Sequence, residues 1–250
     1  MVLITSPDNE LIKKYKKLKM KKYREETGLF LAEGSRLVEE ALKAEAVQEL
    51  LIGEGNSFTA AVGINIIQVS QRLLDSLSDT ESSQGVIAVC RDKKYPKSEQ
   101  LAVGPWVAVD SLADPGNLGT IIRTAWGTGM KGLILIGDCV DPYNSKVVRA
   151  SMGGIFHVPI IYADASDIKT WQAQGHQVIV AAAAAAHNYY DVNYPANLIL
   201  VVGSEARGVS APIESIANLS VKLPLAAGVD SINAAVCAGV LMYEIKRQFH

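Results

Sequence analysis

Three separated segments of the chain carry polar side chains that could hold a ligand and orient reacting groups. They are "NLGTIIR", "GSEARG" and "DSINAA", and their candidate residues are Asn117, Arg123, Glu205, Ser231 and Asn233. Amide, hydroxyl, carboxylate and guanidinium groups act through hydrogen bonds and charge. The four histidines suggest no Ser-His-Asp order, and the sequence shows no metal-ligand spacing. The pattern therefore favours chemistry without a metal ion.

Each segment follows a predicted strand, which explains how the three could meet. The strands "WVAVDSL", "LILVVG" and "VKLPL" are apolar with little alternation, as expected for parallel strands buried on both faces. Ligands of open α/β sheets bind at the carboxyl ends of such strands. Asn117 is predicted to cap a helix that carries Arg123 toward this edge, and Ser231 to cap the long C-terminal helix, with Asn233 in the same role.

A glycine triplet, Gly127-x-Gly129-x-x-Gly132, matches the pattern of a dinucleotide-binding loop. Its context is reversed, because the glycines follow a predicted helix and precede the strand "LILIG", whereas a dinucleotide loop follows a strand and opens a helix. No acidic residue lies between Asp141 and Asp164, where one would be needed to bind a ribose. We predict that these glycines end a helix and turn into a strand.

The organisation of the chain indicates two α/β domains. Residues 9–91 alternate short helical and strand patterns, and the polar stretch "RDKKYPKSEQ" follows them. Residues from about 105 onward repeat a strand-then-helix rhythm, and the run 181–186, all alanine, is predicted as a strand end entering a loop. The predicted division is a domain at 1–95, a linker at 96–104 and a domain at 105–250.

Positive charge is concentrated near the N-terminus, although the whole chain has a net charge of −2. Residues 1–24 contain eight basic side chains and two acidic ones. Such a segment is typical of a protein that binds a polyanion. The candidate contacts with such a partner are Lys13, Lys14, Lys16, Lys17 and Arg24. The alternative is a solvated helix face whose apolar stripe is Leu11, Tyr15 and Leu18.

Composition favours a cytoplasmic protein with no membrane segment. The chain is 49% hydrophobic, but no apolar run approaches the roughly 20 residues that cross a bilayer, and the N-terminus lacks a secretory pattern. Cys90, Cys139 and Cys237 are far apart and are expected to be small core residues. His157 is expected in an apolar strand, as a core or edge residue.

The ordered motifs resemble the SpoU (TrmH) family of RNA ribose 2'-O-methyltransferases. The matches are Asn117 and Arg123 in the first motif, Gly203, Glu205 and Gly208 in the second, and Pro224, Ser231 and Asn233 in the third. "KVVRASMGGIFHVPI" and "GLFLAEGSRLVEEAL" are also similar to this family, so the resemblance covers nearly the whole chain. Two departures are Ile232 in place of the usual Leu and Ala235 where many members have Ser.

The resemblance implies a fold, a cofactor and an assembly. The C-terminal domain would be an α/β methyltransferase domain with a trefoil knot, although unknotted sheets are the general rule. The knot would hold S-adenosylmethionine through contacts that include Gly203, Leu223 and Ile232. Residues 1–95 would form a small α/β RNA-binding domain similar to a ribosomal protein, and the enzyme would be a homodimer.

The implied reaction is methyl transfer to a ribose 2'-hydroxyl, with Asn117, Arg123, Glu205, Ser231 and Asn233 at the site. The family proposal makes Arg123 the proton acceptor, whereas a charged guanidinium has no acceptor capacity and fits an orienting or phosphate-binding role better. Ribosomal RNA is favoured over transfer RNA as the substrate. The alternatives from other classes are a nicotinamide-dependent oxidoreductase and a non-catalytic RNA-binding protein.

Overall fold

A computed structural model describes residues 3–56, 58, 63–79, 83–93, 95 and 100–249. The chain divides into two compact units, Met1–Lys93 with Asp141–His157, and Lys94–Val140 with Val158–His250. The packing of residues 141–157 with the first unit was not predicted, since these residues interrupt the predicted second domain. Residues 96–99 of the predicted linker lie outside the described residues.

The helices and strands follow the predicted order closely. In chain order they are α1 (Glu10–Lys17), α2 (Lys21–Thr27), β1 (Leu29–Glu33), α3 (Ser35–Lys43), β2 (Val47–Gly53), β3 (Asn65–Val69), α4 (Gln71–Leu77), β4 (Val86–Arg91), β5 (Pro105–Asp110), α5 (Pro115–Thr128), β6 (Leu133–Ile136), α6 (Ser145–Ala150), β7 (Ile160–Ala163), α7 (Ala165–Ala173), β8 (Gln177–Ala181), β9 (His187–Asn188), β10 (Leu198–Gly203), α8 (Ala211–Glu214), β11 (Leu219–Lys222) and α9 (Ala234–Gln248).

The first unit is built on a mixed sheet with the strand order β1-β4-β2-β3. Strands β1 and β2 run antiparallel to β4, and β3 runs parallel to β2. Ile12 and Tyr15 of α1 and its C-cap residue Leu18 face the core of this unit, so Ile12 rather than Leu11 is the deeply buried member of the predicted apolar stripe.

Arg24 belongs to the core of the first unit, which corrects its prediction as an RNA contact. Its Nε and Nη2 atoms donate to Asp141 Oδ2 at 2.8 and 2.5 Å, and Nη1 donates to the carbonyl oxygen of Leu18 at 2.8 Å. Only 7% of the arginine side chain and 10% of the aspartate side chain are exposed. A guanidinium buried in this way is not available to a phosphate, and removing either partner would leave an uncompensated buried charge.

Three further contacts attach residues 141–157 within the first unit. The Phe30 ring lies 4.8 Å from the Tyr143 ring and 5.9 Å from the Phe156 ring. His157 Nε2 lies 3.0 Å from a carboxylate oxygen of Glu40. His157 precedes β7 and is mostly a surface residue, so its expected place in an apolar strand is wrong.

The second unit contains a sheet with the order β7-β6-β5-β10-β8-β11-β9 in the described residues. All of its pairings are parallel. Every residue of β6 and β10 is buried, as expected for strands covered on both faces. The predicted α/β architecture with a mostly parallel sheet is therefore confirmed.

The glycine triplet ends a helix, as predicted. Gly129 is the left-handed C-cap of α5, with φ of 78°. Gly132 precedes β6, where a Cβ atom would collide with the Trp106 ring and lie 2.8 Å from the carbonyl oxygen of Pro159. Gly129 permits the turn and Gly132 permits close packing. The alanine run also behaves as predicted, because β8 ends at Ala181 and a loop follows.

Within the described residues, no helix is both long enough and apolar enough to span a membrane.

Candidate functional site

The carboxyl ends of three neighbouring strands, β10, β8 and β11, open into a cavity of about 790 Å³. Four segments line it: 181–184 after β8, 202–205 at the end of β10, 222–225 after β11, and 229–232 before α9. Strand ends and loops leave backbone N–H and C=O groups free to bind a ligand. The three predicted cofactor contacts, Gly203, Leu223 and Ile232, all lie in this lining.

A tight turn between Gly203 and Gly208 projects Glu205 into the cavity lining. The N–H of Gly208 donates to the carbonyl oxygen of Ser204 at 2.8 Å, and Gly208 has a φ of 68°. A Cβ atom on Gly203 would collide with the backbone of Gly208 and Val209. Glycine is therefore required at the first position for close backbone approach and favoured at the second by its left-handed conformation.

Side chains from all three predicted motifs form one hydrogen-bonded chain. The Asn117 Nδ2 group donates to Glu205 Oε1, and Asn233 Nδ2 donates to Asn117 Oδ1 at 2.8 Å. Asn117 thus uses both ends of its amide and connects α5, the turn after β10 and the start of α9. The structure brings together residues that lie 88 and 116 positions apart in the sequence.

One helix cap at the site differs from its prediction, and the other is Asn233, the second of the two residues predicted for that role. Asp114, not Asn117, caps α5: its carboxylate accepts from the N–H of Asn117 at 2.7 Å, and Pro115 occupies the first helical position. Asn233, not Ser231, caps α9, because its Oδ1 atom accepts from the N–H groups of Ala235 and Val236 at 2.9 and 3.2 Å. Asn233 therefore caps the helix with its side-chain oxygen and binds Asn117 with its side-chain nitrogen.

Arg123 and Ser231 do not join the hydrogen-bonded chain. Both are exposed, and in the part of the chain that the structure describes neither makes a side-chain hydrogen bond or an ion pair. Ser231 lies in the cavity lining, whereas Arg123 lies six residues along α5 from Asn117. Six residues correspond to about 9 Å along a helix axis. Both side chains are available to a ligand.

Asp110 is a site residue that the sequence interpretation did not identify. It is the last residue of β5, pairs with Gly203 in the strand register, and is only 2% exposed. Its carboxylate accepts from the N–H of Ser210 at 2.9 Å and from the Ser111 hydroxyl at 3.0 Å. Asp110 thus fixes the chain just beyond the turn that carries Glu205. The sequence signal that could have identified it is an acidic residue at the end of an apolar strand.

The cavity suits a cationic ligand with both polar and apolar parts. Its lining contains three carboxylates and one ammonium group, on Glu205, Glu214, Asp230 and Lys222, among small and apolar side chains. Its volume lies within the range of about 300–1,000 Å³ usual for ligand pockets. Cys237 also lines it, and burial raises the pKa of this thiol to about 11. Among the described residues, no group of three or more potential ligands could hold a metal ion.

The predicted RNA-binding lysines lie together on the first unit. Lys13, Lys14 and Lys17 are exposed on α1, and Lys16 is partly exposed. Lys13 makes ion pairs with Asp8 and Glu10 at 3.4 and 3.5 Å. They form a basic surface, in contrast to the buried Arg24.

Two protein-family models match the chain. The model of the SpoU rRNA Methylase family matches residues 105–243, and the model of the MRM3-like substrate binding domain matches residues 9–88.

Relatives and solved structures cover the chain from end to end. The 23S rRNA (guanosine(2553)-2'-O)-methyltransferase RlmP of Bacillus subtilis is 32% identical, over 98% of this chain and 100% of its own length. Human mitochondrial rRNA methyltransferase 3 is 28% identical, over 92% of this chain and 70% of its own. The AdoMet-bound rRNA methyltransferase from Sinorhizobium meliloti has a TM-score of 0.90, with 31% identity, 100% coverage of this chain and 98% of the other.

Proposed function

The chain belongs to the SpoU rRNA Methylase family, and from this premise we propose that it methylates the 2'-hydroxyl of a ribose in ribosomal RNA. The methyl donor is S-adenosylmethionine, which supplies an electrophilic methyl group on a sulfonium centre. The RlmP relative and the AdoMet-bound structural relative support both the reaction and the cofactor.

The observation that carries the proposal is the meeting of three motif segments beside one cavity. Glu205 lines the cavity and is hydrogen-bonded to Asn117, which is hydrogen-bonded to Asn233. A nicotinamide-binding oxidoreductase would instead need a glycine loop between a strand and a helix, and the glycine triplet ends a helix. All the candidate side chains expected of an active enzyme are present, which argues against a non-catalytic member.

The cofactor would be held mainly by backbone groups. Gly203, Leu223 and Ile232 lie in the cavity lining. The carboxylates of Glu205, Glu214 and Asp230 would favour a cation over a neutral ligand, by a modest amount because all three are exposed and solvent screens their charge. Ile232 in place of the family's Leu keeps the lining apolar at that position.

The remaining polar groups would orient the ribose. A 2'-hydroxyl is a weak nucleophile, so its oxygen must be aligned and its proton must leave. Asn117 has both ends of its amide occupied and therefore positions Glu205. Ser231 and Arg123 are free within the described structure and exposed, so they are the groups available to the RNA.

Arg123 is proposed to bind and orient the RNA rather than accept its proton. A guanidinium remains protonated up to a pKa above about 12 and then offers donors only. Its exposed position on α5, outside the Asn117 hydrogen-bonded chain, suits a contact with a phosphate or a ribose oxygen. The five donors of the arginine match this geometry better than a lysine would.

The test replaces Arg123 with alanine. The matched control is a separate variant in which Lys169, an exposed residue of α7, is replaced with alanine. We expect Arg123→Ala to abolish transfer of a radiolabelled methyl group to ribosomal RNA while affinity for S-adenosylhomocysteine stays near the wild-type value. Lys169→Ala should leave both unchanged. An Arg123→Ala enzyme that turns over near the wild-type rate would contradict the role, and a wild-type protein that methylates no ribosomal RNA would overturn the function.

The proposal includes a trefoil knot in the second unit, a homodimer and a cytoplasmic location. An apolar surface on α5 and α9 supports the dimer: Trp126, Val236 and Tyr243 are 40%, 55% and 57% exposed. Exposed large apolar side chains on neighbouring helices are typical of an interface between subunits. The expected domain at 1–95 would bind the RNA, which agrees with the substrate-binding family model over residues 9–88.

The modified nucleotide is identified by mapping. The 2'-O-methyl positions of total RNA are compared between cells with and without the gene, and we expect one ribosomal RNA position to be lost. Loss of a transfer RNA position would instead assign the enzyme to transfer RNA.

A further inference from the structure

The surface between α1 and α2 forms an open groove of about 450 Å³ that combines positive charge with an aromatic ring. Its lining includes Lys13, Lys14, Lys16, Lys17 and Tyr23, with Glu10 as its acidic residue. The catalytic cavity is in the second unit, whereas this groove belongs to the first.

Tyr23 presents a ring that cations already approach. The ammonium groups of Lys17 and Lys22 lie 5.4 and 6.0 Å from its centroid. Such contacts between exposed groups contribute only about 0.5–1 kcal/mol, so a stacked base could displace them. The ring is partly exposed and its side chain is not part of the core of the unit.

The lysines around the groove differ in their ion pairing. Lys13 is paired with Asp8 and Glu10, Lys21 with Glu25 at 3.7 Å, and Lys22 with Glu26 at 3.8 Å. Lys14, Lys16 and Lys17 have no carboxylate partner in the described part of the chain. Uncompensated positive charge is therefore concentrated along the groove.

We propose that this groove binds an unpaired stretch of RNA, with one base stacked on Tyr23 and neighbouring phosphates on Lys14, Lys16 and Lys17. The assignment rests on the proposed RNA substrate and specifies its form. Aromatic side chains stack on bases of unpaired RNA, whereas the bases of a duplex are not accessible to them. An acidic protein would need the lysines but not the ring, so the ring favours RNA.

The first test measures binding of the full-length protein to a fluorescently labelled single-stranded oligouridylate by anisotropy. Tyr23→Leu keeps an apolar side chain but removes the π face, and it should weaken binding by about 5- to 150-fold, the range of stacking losses on substitution. Tyr23→Phe should bind like the wild type. Melting curves establish that both variants are folded.

The second test compares two triple variants with the same change in net charge. The salt slope is the fall in the logarithm of the binding constant per unit of the logarithm of salt concentration. It should decrease by about 2 in the variant with Lys14→Gln, Lys16→Gln and Lys17→Gln, since each phosphate contact on a single strand contributes about 0.7. Lys13→Gln, Lys21→Gln and Lys22→Gln together should reduce it by less than half as much, because these lysines are ion-paired within the protein.

The outcomes separate this groove from the methyltransferase activity. Unchanged oligouridylate affinity in Tyr23→Leu overturns the groove proposal, and so does a wild-type preference for duplex RNA. Equal binding of a poly-aspartate peptide, equally sensitive to Tyr23→Leu, would identify a protein-binding surface and also overturn it. In each case methyl transfer by the wild-type enzyme would still stand, since it is measured separately.

Discussion

Asn233 performs two structural tasks that substitution can separate. Its Oδ1 atom caps α9, and its Nδ2 group donates to Asn117 at 2.8 Å. Serine in this position retains an oxygen able to cap the helix but cannot supply an amide donor to Asn117. Alanine removes both functions. Asn233→Ser therefore tests the hydrogen-bonded chain, and Asn233→Ala adds the loss of the cap.

The expected magnitudes follow from the two interactions. Loss of an N-cap costs about 1 kcal/mol, which for a chain of this size lowers the melting temperature by about 2–4 °C. Loss of a neutral hydrogen bond costs about 1 kcal/mol, equivalent to roughly a fivefold change in a rate or binding constant. We expect Asn233→Ser to lower the melting temperature less than Asn233→Ala does, because serine keeps a capping oxygen, and to lose about fivefold in kcat/KM. Asn233→Ala should lose both the cap and the amide donor.

Thermal melting and methyl transfer to ribosomal RNA measure the two effects on the same preparations. A double variant adds a check: if Asn233 acts through Asn117, Asn233→Ser should cost much less activity in an Asn117→Ala background, because contacting residues couple. Full activity in Asn233→Ser would refute the role of the amide bond. An unchanged melting temperature in Asn233→Ala would refute the cap.

Two further predictions concern Asp110, which holds the chain just beyond the Glu205 turn, and Cys237, which lines the cavity. Asp110→Ala should lower the free energy of unfolding by about 1–3 kcal/mol and weaken S-adenosylhomocysteine binding, because the Ser210 N–H loses its buried acceptor; calorimetry measures the binding, and an unaltered dissociation constant would contradict the link to the turn. Because burial raises the pKa of Cys237 to about 11, its thiol is neutral at physiological pH. Its alkylation rate should increase about tenfold per pH unit between roughly pH 7 and 9.5, whereas an ordinary thiol levels off near about 8.5. Bound cofactor should slow this alkylation. Peptide-resolved mass spectrometry measures the rate, and a rate that stops increasing at about pH 8.5 would show that burial does not raise the pKa of this thiol.

The strands of the second unit could be predicted because their pattern is local. Parallel strands buried on both faces are continuous apolar runs, and β5, β6, β8 and β10 are of this kind. The resemblance to a family also supplied the candidate residues before any geometry was known. The apolar pattern of a strand does not indicate its register, so the pairing of Asp110 with Gly203 could not be predicted.

Two polar residues compete for each helix cap: the cap of α5 was assigned to Asn117 instead of Asp114, and the cap of α9 was left between Ser231 and Asn233. Asp114 and Asn117 are three positions apart, and the proline between them decides the start, since proline suits the first helical position and its predecessor becomes the cap. Ser231 and Asn233 are a similar pair, and the side chain nearer the helix provides the cap. The first case could have been decided from the sequence by the proline.

Long-range pairs limited the remaining predictions. Arg24 was assigned to RNA because it belongs to a basic segment, but Asp141, which lies 117 positions away, buries it in an ion pair. No local pattern identifies that partner. The same pair explains why residues 141–157 belong to the first unit, since several of their contacts are to residues of the N-terminal segment.

The hydrogen bonds of the site separate residues that hold the protein from residues left for the ligand. Asp110, Asp114 and Asn233 use their oxygens on backbone N–H groups, and Asn117 uses both ends of its amide on side chains. Arg123 and Ser231 make no side-chain hydrogen bond in the described structure, and both are exposed. A guanidinium can only donate, so Arg123 supplies no acceptor at the site, whereas Glu205 does, and Asn117 sets its position. We therefore propose Arg123 and Ser231 as groups that bind the RNA, and the hydrogen bond from Asn117 as the contact that holds the Glu205 carboxylate at the cavity.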